Sequence, residues 1–161
     1  TYTITVASSQ AGTLKGTASH VDKVANGLLP EFPYSFDFKE RTDDGVTRTV
    51  SELSPKQKAN QTLYYAFTVP ASGTYCLYTV SLGGTKNKGV DMAFTLWDEK
   101  GKKKLGEGSD CGYSPRQGTC IYTDDDTLDA TLVAGTTYLI QLRKGFETEG
   151  ITQAFGYTKI A

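Results

Sequence analysis

The sequence predicts an all-β fold, a β-sandwich or jelly roll of about eight or more antiparallel strands with one short N-terminal helix. Three observations lead there. Apolar and polar side chains alternate over short runs through the last hundred residues, as in Leu63, Tyr65, Phe67 and Val69. Turn signals separate those runs at Pro70, Gly73, Gly83-Gly84 and Gly101. Helical spacing occurs in one stretch only, residues 20–29, where Val21, Val24 and Leu28 recur before Pro30 and Pro33 stop the helix.

The elements follow in order. Residues 2–6 have strand chemistry and residues 8–16 are small and polar. Residues 32–38 alternate weakly, and Asp43-Asp44-Gly45 reads as a turn between two strands. Residues 54–60 read as a polar loop. Strands are then expected over 62–69, 74–82 and the run holding Met92, Phe94 and Leu96, which ends at the turn 98–101. Gly106-Glu107-Gly108 reads as hairpin chemistry. Further strands are expected over 121–123, 128–133, 136–143 and 153–160. Residues 69–75 and 133–138 echo one another, each a valine, a tight turn and Gly-Thr or Thr-Thr leading to a tyrosine. Two similar corners at opposite positions in a sandwich account for that echo.

The 161 residues suit one domain, with residues 1–60 packing on a sandwich body of residues 61–161. Only 38% of residues are hydrophobic, but 10 Tyr and 7 Phe supply large apolar surfaces. A net charge of −1 leaves no basic footprint for nucleic acid and no polybasic signal for anionic membranes. Apolar runs are only a few residues long, so no membrane insertion is expected. Beginning at Thr1, the chain reads as an excised or processed part of a larger protein, monomeric as a module.

Three cysteines cannot all pair internally. Cys111 and Cys120 flank a Gly- and Pro-containing loop whose ends can meet, and a disulfide is expected there. Cys76, inside a strand-like run, is expected as a buried thiol. The odd count keeps a fully reduced chain as the alternative.

Over residues 62–159 the pattern resembles the bacterial pre-peptidase C-terminal domains and related jelly-roll carbohydrate-binding modules. The residues that carry the resemblance are Tyr65-Ala66-Phe67-Thr68-Val69-Pro70-Ala71-Ser72-Gly73-Thr74-Tyr75 and Val90-Asp91-Met92-Ala93-Phe94-Thr95-Leu96-Trp97-Asp98. It continues through Asp124-Asp125-Asp126 and Leu132-Val133-Ala134-Gly135-Thr136-Thr137-Tyr138-Leu139-Ile140. It implies attachment to secreted bacterial enzymes, as a spacer or a binder of polymers such as collagen, chitin or other polysaccharides. Some relatives bind calcium. The cysteine loop and the first 60 residues fall outside the family pattern.

Catalysis finds little support in the residues. His20 is the sole histidine and no nucleophile elbow lies near it. With 18 acidic residues, carboxylate pairs are always available and discriminate nothing. No phosphate-cradling glycine motif appears, so no enzyme activity is expected.

Binding residues are easier to nominate. Parity places Met92, Phe94 and Leu96 on one face and Trp97 on the other with Ala93 and Thr95, which suggests a partly exposed indole. Tyr64 falls on the face opposite Leu63, Tyr65 and Phe67. Each ring has a bland alternative: a second core layer over Trp97, an ordinary strand tyrosine at 64. In and beside the cysteine-bounded loop, Tyr113, Arg116, Gln117 and Tyr122 place two rings and several hydrogen-bonding groups on a tethered excursion. Tethering for protease resistance explains that loop equally well. Asp124, Asp125 and Asp126, with Asp129 following, could offer oxygens to calcium, the one cofactor considered, although a solvated turn explains them too. The expectation is a secreted or cell-surface, non-catalytic module that binds a polysaccharide such as starch or a plant glucan. The alternative is a structural, calcium-stabilised accessory or adhesin-like protein-interaction domain.

Overall fold

The computed structural model describes residues 33–53, 57–112 and 118–161, so the strand expected at 2–6 and the helix expected at 20–29 lie outside the described residues. The described residues hold eleven strands and no helix. They are β1 (Tyr34–Ser35), β2 (Lys39–Asp43), β3 (Val46–Glu52), β4 (Thr62–Phe67), β5 (Gly73–Leu82) and β6 (Ala93–Trp97). The rest are β7 (Lys104–Glu107), β8 (Ser109–Asp110), β9 (Asp126–Leu132), β10 (Tyr138–Arg143) and β11 (Thr152–Lys159). One sheet has the order β1-β4-β10-β6-β7 and the other β2-β3-β11-β5-β9-β8.

Four antiparallel pairs organise this arrangement: β3 with β11, β4 with β10, β5 with β9, and β6 with β7. Each pair nests inside the one before it in sequence, and successive pairs lie in alternate sheets. A long antiparallel ribbon folded over on itself lays down its strands in this way, which is the winding of a jelly roll. One pairing departs from the antiparallel expectation. The two-residue β1 runs parallel to β4, because residues 36–38 carry the chain straight on to the other sheet rather than turning it back.

Alternation builds the core between the sheets. Leu63, Tyr65 and Phe67 of β4, Phe94 and Leu96 of β6, and Ile140 and Leu142 of β10 face Tyr75 and Leu77 of β5 and Phe155 of β11. Phe36 stacks on Tyr65 at 4.4 Å and on Phe155 at 4.9 Å, joining the two sheets through their rings. A second apolar cluster forms from Val50, Cys76, Tyr78, Val80, Leu82 and Ala154, with Ile121 packed against it. These side chains have the opposite parity along β5, so that strand is buried on both faces. Cys76 is there as the expected buried thiol. The second layer therefore lies on the sheet that does not carry Trp97.

The Asp44-Gly45 turn joins β2 to β3 as expected, with φ of 51° and 78° at its two central residues. The echoing corners are neighbours rather than opposites: Ala134 N–H donates to Ser72 Oγ at 3.0 Å. Both carry the chain between sheets. In one, the Tyr75 hydroxyl donates to Ala71 O at 2.7 Å; in the other, Val133 N–H donates to the Tyr138 hydroxyl at 2.9 Å.

Two stretches differ from expectation. Residues 121–123 form no strand, because the Asp125 carboxylate draws the Ile121 and Tyr122 amides into a turn. Residues 104–110 form two short strands instead of a hairpin tip, and Gly108 carries the chain from one sheet to the other. A side chain at 108 would collide with the Phe94 ring and the Asp126 carboxylate, so that crossing requires glycine.

Candidate functional site

Because Leu63, Tyr65 and Phe67 point into the core, Tyr64 points out, and the same parity turns Gln141, Arg143, Ala93, Thr95 and Trp97 to the outer face of that sheet. Register then fixes which of them meet. Tyr64, Gln141, Thr95 and Glu107 form one row across β4, β10, β6 and β7. Ala66, Leu139, Trp97 and Lys104 form the next, and Thr62, Arg143 and Ala93 lie on the other side.

The Trp97 indole donates its Nε1–H to Gln141 Oε1 at 2.9 Å. That bond satisfies the indole donor and fixes the Gln141 amide between the two rings. Trp97 and Tyr64 are both half-buried, each keeping part of its ring at the surface. Burial raises the Tyr64 pKa above its ordinary value, so the phenol is neutral and can donate a hydrogen bond. Beside the rings lies a hollow of about 190 Å³ lined by Thr62, Thr95, Glu107, Gln141 and Arg143 among others. Lys104 pairs with Glu107 at its rim.

The acidic stretch engages protein groups. Asp125 is 0% exposed, and its Oδ2 accepts the amides of Ser81, Ile121 and Tyr122 at 3.2, 3.0 and 2.9 Å. Its Oδ1 accepts the Ser81 hydroxyl at 2.9 Å. Burial still raises its pKa, against the pull of those bonds. Asp126 is 5% exposed and turned towards Gly108, and Asp110 is its register partner across β8 and β9. Burial first, then the Asp110 charge, pushes the Asp126 pKa up to about 7. Asp124 accepts the Thr123 hydroxyl at 3.1 Å. Asp124 and Asp125 are thus engaged by protein groups, and no group of three or more His, Cys, Asp or Glu arranged for a metal ion occurs among the described residues.

Of the residues nominated from sequence, the structure brings Trp97 and Tyr64 together on one face. Tyr113, Arg116 and Gln117 lie outside the described residues. Cys111 and Cys120 are joined by a disulfide, their Cα atoms 6.5 Å apart. Tyr122 sits beyond the loop with its ring against Gly89, and its hydroxyl pairs with Asp124, which raises its pKa. The sequence pattern singles out none of Gln141, Arg143, Thr95 and Glu107, although the parity that exposes Trp97 applies equally to Gln141 and Arg143, which alternate with Ile140 and Leu142.

No family model matches the chain, and no curated protein matches it. No helix among the described residues is long and apolar enough to cross a membrane.

Proposed function

We propose that this chain is a non-catalytic, extracellular carbohydrate-binding module of a bacterial secreted or surface protein, directed at a polysaccharide such as starch or a plant glucan. One observation carries the reading: Tyr64 and Trp97 share an outer sheet face and flank Gln141, whose amide is held by the indole. Rings offer apolar faces to the C–H surface of a pyranose, while Gln141, Arg143, Thr95 and Glu107 offer donors and acceptors to its hydroxyls. A disulfide bounding the 111–120 loop supports an oxidising compartment.

Trp97 is the only tryptophan in the chain, so its fluorescence reports on this face alone. Titration with a panel of neutral and acidic polysaccharides should change its emission saturably for at least one neutral glucan. Tyr64→Ala should weaken that binding about tenfold, equivalent to about 1.4 kcal/mol. Flat titrations across the panel, or a Tyr64→Ala protein that binds like wild type, would instead favour a spacer, a calcium-stabilised accessory or a protein-interaction domain.

A further inference from the structure

The hollow beside the rings does not end at Arg143. A second one, of about 220 Å³, shares that arginine and continues over Asn60, Asp91, Gly145, Phe146 and Thr148. Resting on the carbohydrate-binding reading above, we infer that the site is a single groove along β10 that grips the interior of an unbranched, uncharged glycan, with Phe146 as a stacking ring at its far end.

The length comes from β10 itself. Trp97 is in register with Leu139, and Phe146 lies seven residues farther along the chain. β10 ends at Arg143, so roughly 3.3 Å per extended residue sets an upper bound of roughly 23 Å between the two positions, room for several sugar rings in line at most.

Phe146 is 67% exposed, the most exposed of the large apolar side chains among the described residues. Its backbone is nonetheless pinned from below. Buried Gln153 accepts the Gly145 amide at 2.8 Å and donates to Phe146 O at 3.2 Å and Gly145 O at 3.4 Å. Next to it, buried Lys144 donates to Gln57 O at 3.1 Å and pairs with Glu147. The segment is therefore fixed by buried polar groups while Phe146 presents its ring to solvent. A ring held that way loses little entropy when a ligand covers it.

Charge selects the ligand class. Arg143 donates to Asn60 Oδ1 at 3.3 Å and pairs with Asp91 at 3.5 Å, so its positive charge is already matched. Asp91 and Glu107, both well exposed, are matched in turn by Arg143 and Lys104, so the one cation of the two linings, Arg143, is already paired. A polyuronate or sulfated chain would find no unmatched cation there, whereas a neutral glycan can bond to Arg143, Asp91 and Glu107 alike.

The test is calorimetry with linear malto- and cello-oligosaccharides graded from disaccharide to octasaccharide, and with polygalacturonate, on wild type, Phe146→Ala and Trp97→Ala. Affinity should keep rising beyond the trisaccharide in at least one series. Phe146→Ala should lose about tenfold on the hexasaccharide and little on the trisaccharide, as expected for one stacking ring. Trp97→Ala should weaken both, and polygalacturonate should bind more weakly than either neutral series. Trp97-dependent binding that stops growing at the trisaccharide, that ignores Phe146→Ala, or that favours polygalacturonate overturns the groove and leaves the carbohydrate reading standing. Absence of binding to every oligosaccharide overturns both.

Discussion

Asp125 is the residue whose substitution most sharply separates a structural carboxylate from a cation ligand. In Asp125→Ala, the buried amides of Ser81, Ile121 and Tyr122 lose their acceptor and the Ser81 hydroxyl loses one partner. An unsatisfied buried donor costs about 1–3 kcal/mol, and water entering the vacated space recovers part of that, which leaves a destabilisation on the order of 3–5 kcal/mol. For a chain of this size that lowers the melting temperature by roughly 10 °C. Asp125→Asn should behave differently. Its oxygen can take the place of Oδ2 and keep the three amides, while its NH2 donates to Ser81 Oγ, so the cost should be within about 1 kcal/mol of wild type. Urea unfolding of the three proteins, with and without EDTA, gives both numbers. Equal destabilisation by Ala and Asn, together with a wild-type melting temperature that falls in chelator, would refute the reasoning and assign calcium to the acidic stretch.

Asp126 makes stability pH-dependent. The native state holds its proton up to about pH 7, whereas the ordinary value is 3.8, so the native state binds the extra proton across that window and loses stability as pH rises through it. Asp126→Asn should flatten that decline and exceed wild type at pH 8 by at most about 4 kcal/mol, with no gain below pH 4, as followed by thermal melts. A melting temperature of wild type that rises from pH 4 to 7 would contradict the burial of this carboxyl. Replacing Cys111 and Cys120 together by Ala opens the 111–120 loop and should lower unfolding free energy by about 2–3 kcal/mol in denaturant titration. An unchanged midpoint would show that the crosslink constrains nothing in the unfolded chain.

Most of the sandwich was legible because one face of each central strand is buried, which imposes a period of two. Met92, Phe94 and Leu96 reveal β6 in that way, and Tyr64 and Trp97 stand out as the rings on the wrong parity for the core. β7 left no such trace. Lys104, Leu105 and Glu107 on this edge strand are all exposed, so nothing forces alternation, and Gly106 suggests a turn. Residues 121–123 misled for the opposite reason: Ile121, Tyr122 and Thr123 have strand propensity, but the nearby Asp125 carboxylate overrides it through two backbone bonds. The hollow beyond Arg143 was illegible because Asn60, Asp91 and Phe146 lie far apart in sequence and meet only through the pairing of β4, β10 and β6.

A heteronuclear NMR titration with a soluble neutral glucan oligosaccharide tests the location of binding most directly. The account predicts that the Trp97 indole N–H and the Gln141 side-chain amide move first and furthest, with Tyr64, Thr95 and Arg143 following, while β2 and β3 on the other sheet stay still. Shifts centred on β2 and β3, or a saturating ligand that leaves Trp97 and Gln141 unmoved, would contradict it.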